Sequence, residues 1–161
     1  MTNLEFCTAR RKAERPAFIR VLNAIPKARS DYRPDPKART AKEIAWLLTV
    51  EEAALLSLLE AGVVEWKETP PPADLDAIVA AFERNSAAVN ERLERLDQAA
   101  WERTVKFLMG SGGTWEDTLS QMVWGFLFDA IHHRGQLSSY LRPMGGKVPS
   151  IYGPSADDPG Q

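Results

Sequence analysis

The chain has 161 residues, with 20 basic and 22 acidic side chains and a formal net charge of -2. The chain therefore lacks the excess of basic residues that is typical of nucleic-acid-binding domains. No apolar run is long enough to span a membrane. The single cysteine, Cys7, excludes an internal disulfide and is typical of a reducing compartment. We therefore expect one cytoplasmic domain, residues 1–161, without a signal peptide and without nucleic-acid or membrane partners.

Apolar residues recur at helical spacing in four stretches, which predict helices over residues of about 3–25, 41–61, 74–96 and 115–142. Four amphipathic helices with some long connections between them predict an all-α fold, an antiparallel four-helix bundle with negligible strand content. An irregular all-α domain with the same helices and different crossings is the alternative.

The second predicted helix has the clearest boundaries. Thr40 and Glu43 have the spacing of a capping box, and Gly62 can supply the left-handed residue that ends a helix. Glu51 lies in the middle of the apolar face of this helix. A glutamate on an apolar face usually lies at the boundary of the core, where its carboxylate reaches water or pairs with an arginine. Burial of an unpaired carboxylate is energetically unfavourable.

The fourth predicted helix carries the main functional clue. Asp129 and His133 lie on its apolar face, one turn apart, whereas His132 points about 100° away. A carboxylate and an imidazole at this spacing can reach one point in the bundle, which is a common way for a helix to supply two metal ligands. The alternative is a core histidine that hydrogen-bonds Asp129 or Glu51, and the spacing alone does not choose between them.

The residues after the fourth helix predict a covering tail. Residues 147–161 contain prolines and glycines that favour turns, next to the apolar Ile151 and Tyr152. We expect this tail to pack on the bundle and to close the mouth near His133, with loosely ordered last residues.

The run FDAIHHRGQLSSYLRPMGGKVPSIYGPSAD, from Phe128 to Asp157, resembles the C-terminal signature of the DinB-like (damage-inducible) four-helix proteins. The second helix, EIAWLLTVEEAALL, resembles the family more loosely, so the likeness extends over nearly the whole chain. The resemblance implies an up-down-down-up bundle and a homodimer. It also implies a divalent metal, often nickel or zinc, held by three histidines. Characterised relatives include transferases and isomerases that use the thiols mycothiol or bacillithiol.

Carried over residue by residue, the family's three histidines are incomplete in this chain. The first falls on Leu47, the second falls on Asp129, and the third is retained as His133. A leucine cannot ligate a metal, so the three-histidine site does not exist here. Either the metal is lost and Leu47 seals a drier core, or Glu51 rebuilds the site with Asp129 and His133 for Mn, Fe or Zn. Loss of the metal site is favoured over its rebuilding, because only one of the three histidine ligands is retained.

Three functions remain open, and the sequence does not decide whether the protein is an enzyme. The favoured one is a small-molecule-binding or stress-related protein with a lost or altered metal site. The second is a metal-dependent thiol transferase or hydrolase that uses Glu51, Asp129 and His133 with a low-molecular-weight thiol. The third is a dimeric structural or interaction domain. No nucleophile stands out, so no catalytic residue is assigned.

Overall fold

The computed structural model describes residues 1–160, which form five α-helices and a small three-stranded sheet. In chain order these elements are α1 (Asn3–Asn23), α2 (Ala41–Ala61), β1 (Val63–Glu65), α3 (Leu75–Glu94), α4 (Gln98–Trp101), β2 (Thr104–Leu108), β3 (Thr114–Thr118) and α5 (Leu119–Leu141). Gln161, the last residue of the predicted tail, lies outside the described residues. The predicted all-α fold class is wrong, because the protein is a helical bundle with a mixed sheet.

None of the helices in residues 1–160 is both long and apolar enough to cross a membrane.

Helices α2 and α3 run in parallel. Asn85 of α3 donates a hydrogen bond to the carbonyl oxygen of Thr49, near the middle of α2. Arg92, two turns further along α3, pairs with Glu60 near the end of α2. The two helices therefore advance together along the bundle.

Helices α1 and α5 form the second parallel pair and run opposite to α3. Asn3, at the start of α1, accepts a hydrogen bond from the indole of Trp124 in α5. Glu14, three turns later, pairs with Arg134 further along α5. Later residues of α1 meet earlier residues of α3, in the pairs Lys12–Glu94 and Arg15–Glu83.

Strands β1 and β2 lie in connections between the predicted helices, and β3 occupies the start of the predicted fourth helix. Strand β2 pairs with β3 in antiparallel fashion and with β1 in parallel, and Phe107 of β2 lies opposite Trp115 of β3. Thr118 ends the sheet and caps α5, because its side chain accepts from the backbone N–H of Gln121. The last long helix therefore begins at Leu119, one turn later than expected.

The bounds of α2 follow from chemistry that is visible in the sequence. The Thr40 side chain accepts from the Glu43 backbone N–H, and the Glu43 carboxylate accepts from that of Thr40. Gly62 ends the helix at a φ of 72°, which favours glycine. The predicted capping box is confirmed, and it fixes the helix that carries Leu47 and Glu51.

A buried ion pair holds α5 against α1. Glu14 and Arg134 are each 2% exposed, and Arg134 Nη1 lies 2.7 Å from Glu14 Oε2. The guanidinium also lies over the ring of Phe18, 4.5 Å from its centroid. Because Arg134 directly follows His133, this pair restricts the rotation of α5 and so positions His133.

The C-terminal tail packs on the α1 side of the bundle. Val148 and Ile151 contact the apolar core, and the hydroxyl of Tyr152 donates to Glu14 Oε2 at 2.9 Å. Among the described tail residues, none lines the cleft beside His133. The expectation that the tail closes this mouth is wrong, because the bond to Glu14 directs Tyr152 to the other side of α5.

Replacing Arg134 by Met should lower the free energy of unfolding by about 3–5 kcal/mol, because Glu14 would stay buried without its main charge partner. Replacing Arg10, the half-exposed second partner of Glu14, by Met should lower it by about 0.5 kcal/mol. Urea unfolding of both variants, followed by circular dichroism, measures the difference. Equal and small losses would contradict the structural role of the buried pair.

Candidate functional site

Three predicted ligand residues, Glu51, Asp129 and His133, meet where α2 packs against α5. One acceptor atom from each residue lies within 4.8 Å of those from the other two. Asp129 and His133 share one side of α5 because they are four residues apart, and Glu51 faces them from α2. We call this group the Glu51–Asp129–His133 cluster. That it binds a metal stays a prediction.

Hydrogen bonds outside the cluster determine which nitrogen of His133 faces it. The amide nitrogen of Gln136 donates to the Tyr140 hydroxyl at 3.1 Å, so its carbonyl oxygen accepts from His133 Nδ1 at 3.2 Å. Nε2 of the neutral imidazole then carries a lone pair, and it lies 3.4 Å from Asp129 Oδ2. Two acceptors that face each other at this distance need a proton or a cation between them.

Glu51 is the deeply buried member of the cluster. The residue is 4% exposed, and its Oε2 atom has no hydrogen-bond partner within the described chain. The next residue, Glu52, is also buried but pairs with Arg11 at 2.6 Å. The expectation that Glu51 reaches water or pairs with an arginine is therefore wrong, because its neighbour has that role.

The environment of Glu51 keeps its carboxyl neutral when no cation is present. Burial raises the pKa of Glu51 to about 10, and the neighbouring Asp129 carboxylate acts in the same direction. Arg39 has a smaller, opposite effect on this pKa. A bound divalent cation would have to displace the proton of Glu51, so the proton and the cation compete for the same atoms.

The cluster opens into a cleft of about 450 Å³. Glu51 forms its buried end, whereas the Asp129 side chain is 54% exposed and that of His133 is 17% exposed. Leu47, where the family resemblance places a histidine, is buried beside the cleft and lines it. A ligand can therefore reach the cluster from solvent.

One side of the cleft is an aromatic wall, formed by Trp66, Phe107, Trp115 and Phe126. Trp66 stacks on Phe107 with ring centroids 5.8 Å apart, and Phe107 contacts Trp115 at 6.4 Å and Phe126 at 6.0 Å. The sheet builds this wall by placing Phe107 opposite Trp115. The wall was not predicted from the sequence, although the alternation of polar and apolar residues over 104–107 was a strand signal.

An ion pair between Arg39 and Glu68 also lines the cleft. Arg39 Nη2 lies 3.0 Å from Glu68 Oε1, and the two side chains are 45% and 68% exposed. Both residues, together with Leu47 and Trp66, line an adjoining cavity of about 330 Å³. The pair therefore lines both cavities.

Comparisons with known proteins show the fold. The sequence model of the DinB family matches residues 3–160. A DinB-like protein from Bacillus cereus aligns with a TM-score of 0.73 and 19% identity, over 88% of this chain and 92% of that one. A DinB-like protein from Bacillus subtilis aligns with a TM-score of 0.67 and 19% identity, over 86% and 92%.

A more distant structural neighbour is a mutant form of the mycothiol-dependent maleylpyruvate isomerase. It aligns with a TM-score of 0.58 and 15% identity, over 90% of this chain and 62% of that one. At this identity the likeness concerns the fold alone. No curated protein sequence matches the chain.

Without metal, the free energy of unfolding should fall as the pH rises from about 5 to about 9. The folded protein holds a proton on Glu51, whose pKa is raised from 4.5 to about 10, whereas the unfolded chain releases it. This contribution is complete below pH 4.5 and is lost as the pH rises towards 10. Glu51→Gln keeps a neutral side chain of the same shape, so its stability should change less and exceed that of the wild type at high pH.

Urea unfolding in a chelator at about pH 5, 7 and 9 measures both proteins. Parallel profiles for the wild type and Glu51→Gln would contradict a neutral, buried Glu51.

Proposed function

The chain belongs to the DinB family, and on that premise we propose that it binds a small molecule in a cleft centred on a divalent cation, held by Glu51, Asp129 and His133. One observation supports this most directly. Three acceptors converge on one point, one of them the buried Glu51 carboxylate, whose Oε2 has no hydrogen-bond partner in the described chain. A cation would satisfy all three acceptors at once.

The donor set fits a divalent cation other than the one expected for three histidines. Leu47 offers no lone pair, and Glu51, one turn later on the same helix, faces the same point from α2. Two carboxylates and one imidazole are ligands that suit manganese, iron or zinc. The bond from His133 Nδ1 to Gln136 orients the imidazole, as hydrogen-bonded partners of metal-ligating histidines commonly do.

When bound, the cation would act as a Lewis acid towards an oxygen or sulfur atom of the ligand. The residues of the chain supply the rest of the binding chemistry. Glu51, Asp129 and His133 hold the cation, Gln136 orients the imidazole, and the aromatic wall excludes water from one side of the cleft.

A metal-dependent thiol transferase is the second candidate function. It is supported by the fold that the chain shares with a mycothiol-dependent isomerase. A cation in the cluster could hold a thiolate supplied by such a substrate. The protein's own thiol is unsuited to the reaction, because Cys7 is buried and burial raises its pKa to about 11. The homodimer and the cytoplasmic location stay predictions.

The untagged protein should bind about one equivalent of Mn²⁺ or Zn²⁺, with an affinity that increases with pH because Glu51 must lose its proton. Glu51→Gln and His133→Asn should each weaken this binding by about tenfold or more. His132→Asn is the matched control, because His132 is exposed and lies outside the cluster. Isothermal titration and elemental analysis measure the effect, and indistinguishable binding by all four proteins would contradict the site.

Replacing Leu47 by His should increase the affinity for Ni²⁺ or Zn²⁺ by about tenfold or more, because it adds a nitrogen ligand beside Glu51. Leu47→Ile has the same volume and no ligand atom, so it should leave the affinity close to that of the wild type. Competition with a chromophoric chelator measures both variants. An unchanged affinity for Leu47→His would show that position 47 does not face the cation.

A further inference from the structure

Two features of the cleft have no part in holding a cation, namely the aromatic wall and the Arg39–Glu68 pair. We propose that the ligand is a planar aromatic carboxylate, whose ring lies against the aromatic wall and whose carboxylate replaces Glu68 as the partner of Arg39. This inference rests on the proposed function, because the bound cation sets the net charge of the cleft.

The aromatic wall favours a flat, apolar partner. Phe107 contacts the other three rings, and the wall continues to Trp115, which is 46% exposed. A ligand that covers this exposed indole would bury its apolar surface. Aromatic rings also prefer offset or edge-to-face contacts with other rings. A planar ring system therefore fits this side better than a flexible chain of the same size.

Arg39 can exchange Glu68 for a ligand carboxylate with little loss of protein stability. Both side chains are substantially exposed, and exposed ion pairs contribute little to stability. The planar guanidinium fits a carboxylate with two parallel hydrogen bonds, so a ligand carboxylate can replace that of Glu68. Arg39 carries the one guanidinium among the described residues that line the cleft.

The loop that carries Glu68 is held independently of this ion pair. The indole nitrogen of Trp46 lies 3.0 Å from the carbonyl oxygen of Thr69 and 3.1 Å from its hydroxyl. Glu68 can therefore leave Arg39 while the neighbouring residue stays anchored to α2. Since the pair lines both cavities, its opening also gives a bicyclic ring more room.

The charges of the cleft favour an acid over an amine. A divalent cation neutralises Glu51 and Asp129, and Arg39 neutralises Glu68, so no net negative charge remains to attract an ammonium group. Without the cation, the Asp129 carboxylate would weaken the preference for an acid, although Arg39 would still attract one. The preference for an acid over an amine should therefore be larger when the cation is bound.

Gly125 of α5 provides a direct test of the location. It lines the cleft, and a Cβ atom there would lie 4.0 Å from the Trp115 ring, so a leucine would extend into the space assigned to the ligand ring. Gly135, on the same helix, has nothing within 4 Å of its Cβ position. Leucine is a better helix former than glycine at both positions, so both variants should fold.

The experiment is isothermal titration of the Mn²⁺-loaded protein with 2-naphthoate, 2-naphthylmethylamine and 2-naphthalenemethanol. We expect naphthoate to bind at least about tenfold more tightly than the amine or the alcohol. Arg39→Gln and Gly125→Leu should each weaken naphthoate binding by about tenfold or more, whereas Gly135→Leu should not change it. Glu68→Gln should strengthen it, because Arg39 is then free of its competitor.

Tighter binding of the amine or the alcohol, equal binding by the two glycine variants, or weaker binding by Glu68→Gln would overturn the proposal. A second titration without Mn²⁺ separates it from the proposed function. If the cation proposal alone is wrong, naphthoate binds equally with and without Mn²⁺ and still depends on Arg39 and Gly125. If the ligand proposal alone is wrong, Mn²⁺ binds as expected and naphthoate does not bind in the cleft.

Discussion

The burial of the Glu51 carboxyl against two other acceptors is the interaction on which the site depends. Burying a carboxyl without a partner is unfavourable, and Glu51 faces an aspartate and an imidazole lone pair at the same time. A proton relieves this conflict for one carboxyl, whereas a divalent cation relieves it for all three residues. Helix packing keeps these three acceptors close together. The Glu14–Arg134 pair holds α5 in place, and the Arg11–Glu52 pair fixes the residue next to Glu51.

The long helices were predictable because each has a local signal. A period of 3.6 residues over twenty positions and the capping box at Thr40 are properties of the segment itself. The strands were not predictable in the same way. Each has three to five residues, and Trp115 also fits a helical apolar stripe, so only the pairing with Phe107 identifies it as part of a strand.

The candidate site could be predicted in its members but not in its environment. The spacing of Asp129 and His133, with the family resemblance, was enough to group them with Glu51. The sequence could not tell that Glu52 takes the buried arginine and leaves Glu51 without one, because that depends on where α1 packs. For the same reason a strand signal over 104–107 was not enough to predict the aromatic wall, which forms only when the sheet brings Trp66 and Phe107 together.

The most direct test of a cation-centred cleft is a crystal structure of the protein grown with Zn²⁺, with anomalous diffraction measured at the zinc edge. We expect one strong peak about 2.0–2.2 Å from a carboxylate oxygen of Glu51, a carboxylate oxygen of Asp129 and Nε2 of His133. A map with no peak between these atoms, in crystals that bind Zn²⁺ elsewhere or not at all, would contradict the account.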